Sequence, residues 1–372
     1  MKTAIFPLTG DPMHYGHLAI IEKASKLCDK LYVALGINPE KAGKHLFTEE
    51  ERVRLTRNAV EYLGLKNVEV ESFSGWLADY ARQKNVSLLV RGARNEKDMK
   101  YETMAAEYHA KHGIETVLIP IYGNASLISS TRLKEEVRQG KLVHEHTTPR
   151  IKQALEGKLL GISIVGVTGQ MGSGKSTFCR ELADYANQQG IKMQHIDCDA
   201  LTHSLYCSEN PVYPEIYTEI KSCFGKEICA GNSINRKTLS KKALASNENR
   251  LRLMQILSKP FQAEIEKQLA NSKGIVLLDA AYLDMMLPWV NYNAIIIKCD
   301  EEERKRRVLA RDKISEEAFE RISRFLLSPK KFRELLEKEQ KEKCNGAYYE
   351  VDSVKKDYKE ALGWIQKNFP MF

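Results

Sequence analysis

Residues 162–177, ISIVGVTGQMGSGKST, decide how the second half of the chain folds. A short apolar run leads into a glycine-rich loop that fits GxxxxGK[ST] from Gly169 to Ser176, and the helical pattern FCRELADYANQQG follows at once. Strand, loop and helix in that order build an anion cradle, because the loop amides and the positive end of the helix dipole face the same point. Gly169, Gly172, Gly174, Lys175, Ser176 and Thr177 are therefore candidate nucleotide contacts, with Lys175 reaching the β/γ-phosphates and the Ser176 hydroxyl holding Mg²⁺.

The next strand, in IKMQHIDCDALTH, ends with Asp197 and Asp199 on one face, since strand periodicity is two. The expectation is that one of these carboxylates accepts the proton of an attacking hydroxyl and the other helps organise Mg²⁺, as in a small-molecule kinase. The alternative is that the pair caps the helix starting at Ala200. GIVLLDA places Asp279 at a strand end, where a Walker-B-type acid stands, and NAIIIKCD supplies another strand. The stretch from EEERKRRVLARD through FRELLEKEQKEK reads as helical, with Arg307 and Arg311 four residues apart on one face, from which both could close over phosphoryl charge.

Upstream, Thr3 to Leu8 reads as a buried strand followed by the helical HYGHLAIIEKASKLCDK. KLYVALGI, NVEVESF, VSLLVRG and ETVLIPIYG then alternate with helical patterns such as FTEEERVRLTRNAVEYLG and WLADYARQK, which implies a parallel sheet of βαβ units. A helix from near Ser130 stops at Gly140, and the polar VHEHTTPRIKQALEGK closes the domain. The fold class is thus α/β with two parallel-sheet domains, at residues 1–157 and 158–372.

In the first domain His14 and His17, in HYGH, project from one face of a first helical turn, where the dipole favours phosphate, and Gly16 lets a nucleotide approach the backbone. Ser129, Ser130 and Thr131 offer hydroxyls and amides at another helix start. Arg91 closes a strand, and Lys41 and Lys44 occupy the loop after another, where functional residues of open parallel sheets gather.

Composition bounds the alternatives. With 372 residues, 43% hydrophobic and 28% charged, the chain is neither disordered nor fibrous. No run reaches the ~18 apolar residues of a membrane span, and Pro7, Asp11 and Pro12 come too early for a signal peptide, so a cytoplasmic protein is expected. Eight cysteines without a CxxC pair predict neither disulfide nor zinc site. The net charge of +8 is interleaved with acids, without a basic stripe carrying aromatics, which suits small polyanions rather than nucleic acid.

GQMGSGKST, IDCDALTH and RVLARD make residues 160 to about 370 resemble dephospho-CoA kinase, a P-loop family. The resemblance implies a base role for Asp197, nucleotide binding by Lys175 and Ser176, and lid contacts by Arg307 and Arg311. The chain departs from the pattern at Lys259-Pro260, where the family has His-Pro before a helix, and at DAAYLDM, where it has an apolar Pro-Leu-Leu segment. Residues 1 to 157 resemble phosphopantetheine adenylyltransferase through TGDPMHYGH, FTEEERV, RGARNEKDMKYE and ISST in family order. By that resemblance His14, His17 and Arg91 stabilise charge on the ATP phosphates, Lys41 or Lys44 bridges substrate and α-phosphate, Thr9 holds the incoming phosphate and Glu102 lies near the ribose. Leu8 and Gly10 replace the family's glycine and aromatic around Thr9.

The two families catalyse consecutive steps, in an order that resembles the fused CoA synthases. ATP is then a substrate twice, Mg²⁺ the cofactor, and 4′-phosphopantetheine and dephospho-CoA the other ligands; no nucleic-acid or membrane partner is implied, and a homo-oligomer is compatible. The rivals are an NAD-branch adenylyltransferase with a riboside kinase, and a nucleotide-binding regulator with weakened catalysis.

Overall fold

The computed structural model describes residues 2–37, 44–231, 233–312 and 314–369. These fall into two compact units, one of Met1–Arg138, Leu142–Leu159 and Lys341–Asn345, the other of Gln139–Lys141, Leu160–Gln340 and Gly346–Phe372.

The first unit contains strands β1 (Thr3–Leu8), β2 (Lys30–Ile37), β3 (Val68–Ser74), β4 (Leu88–Ala93) and β5 (Glu115–Pro120). Its helices are α1 (Tyr15–Ser25), α2 (Glu49–Tyr62), α3 (Leu77–Gln83), α4 (Glu96–Ala110), α5 (Ser130–Arg138) and α6 (Pro149–Leu155). The sheet is all parallel, in the order β3-β2-β1-β4-β5. Ala4, Ile5 and Phe6 are buried in its central strand, as a strand covered by helices on both faces requires. The strand order reverses between β1 and β4, so a crevice opens beyond their carboxyl ends, where Thr9 and Arg91 lie.

In the second unit β6 (Ile162–Thr168), β7 (Met193–Asp197), a two-stranded ribbon of β8 (Cys229–Ala230) and β9 (Ser233–Ile234), β10 (Gly274–Asp279), β11 (Ala294–Lys298) and β12 (Tyr348–Asp352) follow one another. The helices are α7 (Lys175–Gln188), α8 (Cys198–Ser204), α9 (Tyr213–Phe224), α10 (Arg236–Ala243), α11 (Asn247–Ala270), α12 (Glu301–Asp312), α13 (Glu316–Ser323), α14 (Pro329–Lys343) and α15 (Tyr358–Asn368). A parallel sheet runs β12-β11-β6-β10-β7, with β6 buried along its whole length. Asp279 of β10 lies opposite both Val167 of β6 and Asp197 of β7, so the P-loop and both acids meet at one end of the sheet.

Three expectations are corrected. The polar stretch at residues 143–158 contains α6, whose Ile151 and Leu155 are fully buried; the charged residues among them, including the buried Lys152 paired with Glu156, had masked its apolar face. The helical run from Glu301 is three helices, because Ser315 accepts from the Ala318 amide to start α13 and Pro329 opens α14. Lys259-Pro260 does not precede a helix; it lies inside the 24-residue α11.

Candidate functional sites

In the first unit a cavity of about 830 Å³ lies at the switch point. Thr9, His14, Gly16, His17, Lys44, Arg91, Glu102, Ser129, Ser130 and Thr131 all line it. Lys41 lies outside the described residues.

His14 is the N-cap of α1, and its Nδ1 accepts from the Gly16 amide at 3.1 Å. The His17 Nδ1 accepts from the His14 amide at 3.3 Å, and the rings stack with centroids 3.8 Å apart. Each Nδ1 faces an N–H, so a neutral ring must carry its proton on Nε2; both histidines are then neutral donors. Burial, with His17, Arg94 and His146 nearby, pushes His14 down to about 2; burial and Arg94 push His17 down to about 4. An imidazole ordinarily titrates near 6.5, so the unfolded chain takes up these protons first as pH falls. Folding stability is therefore complete above pH 6.5 and declines toward pH 4, by up to about 1.4 kcal/mol per pH unit for each neutral histidine. The urea midpoint of the first domain, read by pulse proteolysis, is expected to fall over that window, and His14→Asn is expected to flatten the decline.

Sequence reasoning missed Asp11, Arg52, Arg94 and Lys134, although each lies in or beside a motif. The buried Asp11 accepts from the amides of Leu46 at 3.0 Å and Phe47 at 3.1 Å, and from Lys134 Nζ at 3.2 Å. Burial pushes its carboxyl up, but those two amides and Lys134 outweigh it and hold the carboxyl below its ordinary value. Phe47 opens FTEEERV, whose Thr48 and Glu51 form a capping box and whose buried Arg52 donates to the Thr9 carbonyl at 2.8 Å. That motif thus fixes the loop carrying Thr9. Gly10 has φ +61°, and a Cβ there would stand 2.7 Å from the Leu35 side chain, so this backbone favours glycine.

RGARNEKDMKYE is a strand-to-helix brace. Arg91 forks onto Glu102 at 2.7 and 2.8 Å and donates to the Pro7 carbonyl at 2.8 Å, which occupies three of its five N–H groups. Arg94 pairs with Asp98 at 2.9 Å and donates to the Ile128 carbonyl at 3.2 Å. At α5 the three hydroxyls divide their work: Ser129 caps the Arg132 amide at 3.2 Å, Ser130 donates to the Pro12 carbonyl at 2.9 Å, and Thr131 is exposed. The Ser130 and Thr131 amides precede the first intrahelical bond and remain suited to an anion.

In the second unit a cavity of about 550 Å³ is lined by Gly172, Gly174, Lys175, Ser176, Thr177, Asp199, Arg307 and Arg311. Gly169 lies just behind it, where a Cβ would stand 2.7 Å from the Ile297 carbonyl. Gly172 has φ +81°, and a Cβ there would stand 2.6 Å from the Arg304 carbonyl, so α12 packs directly on the loop. Arg304, buried and missed in the sequence, donates to the Met171 carbonyl at 3.3 Å. Arg307 is held by Glu303 at 2.7 Å, and Arg311 forks onto Asp312 at 2.7 and 2.8 Å. Ser176 Oγ donates to the Asp279 carboxylate at 2.5 Å. Both are oxygen groups, the donor type a hard divalent cation takes.

The two aspartates of HIDCD part company. Asp197 spends a carboxylate oxygen on the Ala200 amide, 2.9 Å away, as the N-cap of α8, which meets the capping alternative. Asp199, one residue into α8, is the acid that lines the cavity, and it stands there exposed beside Lys175. Tyr282, from DAAYLDM, also lines the cavity, with the Arg250 guanidinium 5.4 Å from its ring centre.

Two phosphate-binding crevices on two parallel sheets define a bifunctional transferase, nucleotidyl transfer first and phosphoryl transfer second. Residues 163–334 match the dephospho-CoA kinase family profile and residues 8–136 the cytidylyltransferase-like profile. Over 156 residues the chain is 38% identical to the phosphopantetheine adenylyltransferase of Deinococcus radiodurans, covering 42% of this chain and 92% of that protein. It is also 38% identical over 164 residues to that of Clostridium botulinum, covering 42% of this chain and 98% of the relative. Through its first domain the chain belongs to the phosphopantetheine adenylyltransferase family, and its second domain is of the dephospho-CoA kinase type. The dephospho-CoA kinase structure from Campylobacter jejuni aligns with 56% of this chain and 97% of its own at 19% identity and a TM-score of 0.32. Among the described residues no helix is long and apolar enough to cross a membrane.

Proposed function

We propose that the chain carries out the last two steps of coenzyme A biosynthesis. The observation that carries this reading is that both family cavities stand in one chain with their donors assembled: the histidine pair and α5 amides in one, the P-loop, Asp199 and Arg307 in the other. In the first, the phosphate of 4′-phosphopantetheine attacks the α-phosphorus of ATP, one P–O bond forms and one breaks, and pyrophosphate leaves. The two Nε2–H groups, the α5 amides and Lys44 or Lys41 stabilise the charge that develops, and no protein nucleophile is required. In the second, the ribose 3′-hydroxyl attacks the γ-phosphorus, its proton passes to a carboxylate, and ADP leaves. Asp199 is the base in this reading, because it lines the cavity, whereas Asp197 is bound to a helix amide.

Mg²⁺ would be held by Ser176 and Asp279, with Asp199 near, and would supply charge neutralisation on the β- and γ-phosphate oxygens. Arg307 and Arg311 meet the same phosphoryl charge from α12. The ligands are small polyanions.

Incubation of the full-length chain with Mg²⁺, ATP and 4′-phosphopantetheine is expected to yield dephospho-CoA and then CoA by mass; NAD formed from nicotinamide mononucleotide in a parallel tube would overturn the reading. Asp199→Asn is expected to lower kinase turnover by roughly 10²–10⁴-fold with ATP binding kept. Asp197→Asn is expected to cost only about 1 kcal/mol or less of stability, since asparagine caps nearly as well. The reverse pattern in turnover would return the base role to Asp197.

A further inference from the structure

Beneath the P-loop lies a polar cluster that phosphate transfer does not use in full. Cys179 Sγ, a His195 ring nitrogen and an Asp279 carboxylate oxygen lie within 4.8 Å of one another. Cys179 and Asp279 are buried, and His195 Nε2 is buried with no hydrogen-bond partner among the described residues, 3.4 Å from Asp279 Oδ2. The chain brings them together by simple periodicities. Ser176 and Cys179 are three residues apart on α7 and share a face, while His195 of β7 lies diagonally across from Asp279 of β10.

We propose that Cys179, His195 and Asp279 form a site for a Zn²⁺-class transition-metal ion, and that its occupancy switches off the kinase half. A tetrahedral ion with bonds of about 2.0–2.1 Å to nitrogen and oxygen spaces those two ligands about 3.3 Å apart, the separation His195 and Asp279 already have within 0.1 Å. Burial holds the Cys179 thiol well above its ordinary value, so metal binding releases its proton to solvent, and the thiolate then completes a mixed sulfur, nitrogen and oxygen set that suits Zn²⁺ or Co²⁺ and not Mg²⁺. Three protein ligands leave the fourth position open. The same Asp279 oxygen accepts from Ser176, which lines the phosphate cavity, so an ion bound there competes with Ser176 for that oxygen. The switch rests on the kinase reading above; the binding site does not.

The test titrates the full-length chain with Co²⁺ in excess Mg²⁺. One equivalent is expected to produce a thiolate-to-cobalt charge-transfer band with tetrahedral visible bands, both lost in Cys179→Ala and in His195→Gln. Zn²⁺ is expected to compete for the site and to lower conversion of dephospho-CoA to CoA by tenfold or more, with adenylyl transfer unchanged. Cys179→Ala is expected to keep metal-free kinase turnover, which reports an intact fold, and to bind Zn²⁺ more than about 100-fold more weakly, beyond the loss from removing an outer-shell partner. Absence of the charge-transfer band, or its persistence in both variants, overturns the proposed site. Zn²⁺ binding without kinase inhibition overturns the switch. Failure of the kinase reading would appear separately, as no CoA formed before any Zn²⁺ is added.

Discussion

Lys175→Ala in the full-length chain is expected to stop the two-step conversion at dephospho-CoA, with kinase turnover down by roughly 10²–10³-fold or more, the scale of one lost charge-stabilising donor. Lys175 is 9% exposed, sits at the first position of α7, and lines the phosphate cavity with Ser176 and Asp199. Its ammonium is a compact charge in a narrow loop, so the planar fork of Lys175→Arg is expected to rescue little. Mass analysis of the full reaction reads the arrest directly. CoA formed at the normal rate would remove the P-loop from the chemistry.

The complementary loss belongs to His17. His17→Ala is expected to reduce adenylyl transfer to 4′-phosphopantetheine by roughly 10²–10³-fold, while CoA still forms from supplied dephospho-CoA. In the proposed adenylyl transfer the ring offers its Nε2–H to developing phosphate charge, and its Nδ1 accepts from the His14 amide at the start of α1. His17→Gln keeps a donor of similar reach and is expected to recover part of the rate. A purely structural role would instead lower stability in both variants and leave turnover per folded molecule unchanged. Feeding each intermediate separately distinguishes loss in one domain from loss in both.

Much of this architecture was legible in the sequence because local patterns and tertiary needs agree. ISIVGV and TAIFPL are short apolar runs ended by glycine-containing loops, and both became buried strands carrying a site at their carboxyl ends. HYGH, ISST and GSGKST were legible because a helix amino terminus has unmet N–H groups wherever it occurs. What stayed hidden depends on partners distant in the chain. Asp11 gains its role only when Leu46, Phe47 and Lys134 fold onto it, and Arg52 only when Thr9 comes within 2.8 Å. The HIDCD pair shows a subtler limit. Period-two alternation placed both acids on one face, but the strand ends at Asp197 and helix α8 begins at the next residue, which sends the two carboxylates to different tasks. Arg91 was likewise legible as a strand residue near the crevice, which it lines, whereas its bidentate hold on Glu102 is a contact between a strand and a helix that no local pattern reports.

The neutrality of the paired histidines bears on how the first reaction ends. Two imidazolium rings would grip pyrophosphate with charge-assisted hydrogen bonds, roughly twice as strong as neutral ones. Rings pushed down to about 2 and 4 present neutral N–H groups to the crevice instead. In the proposed adenylyl transfer such donors would align a triphosphate by direction more than by charge.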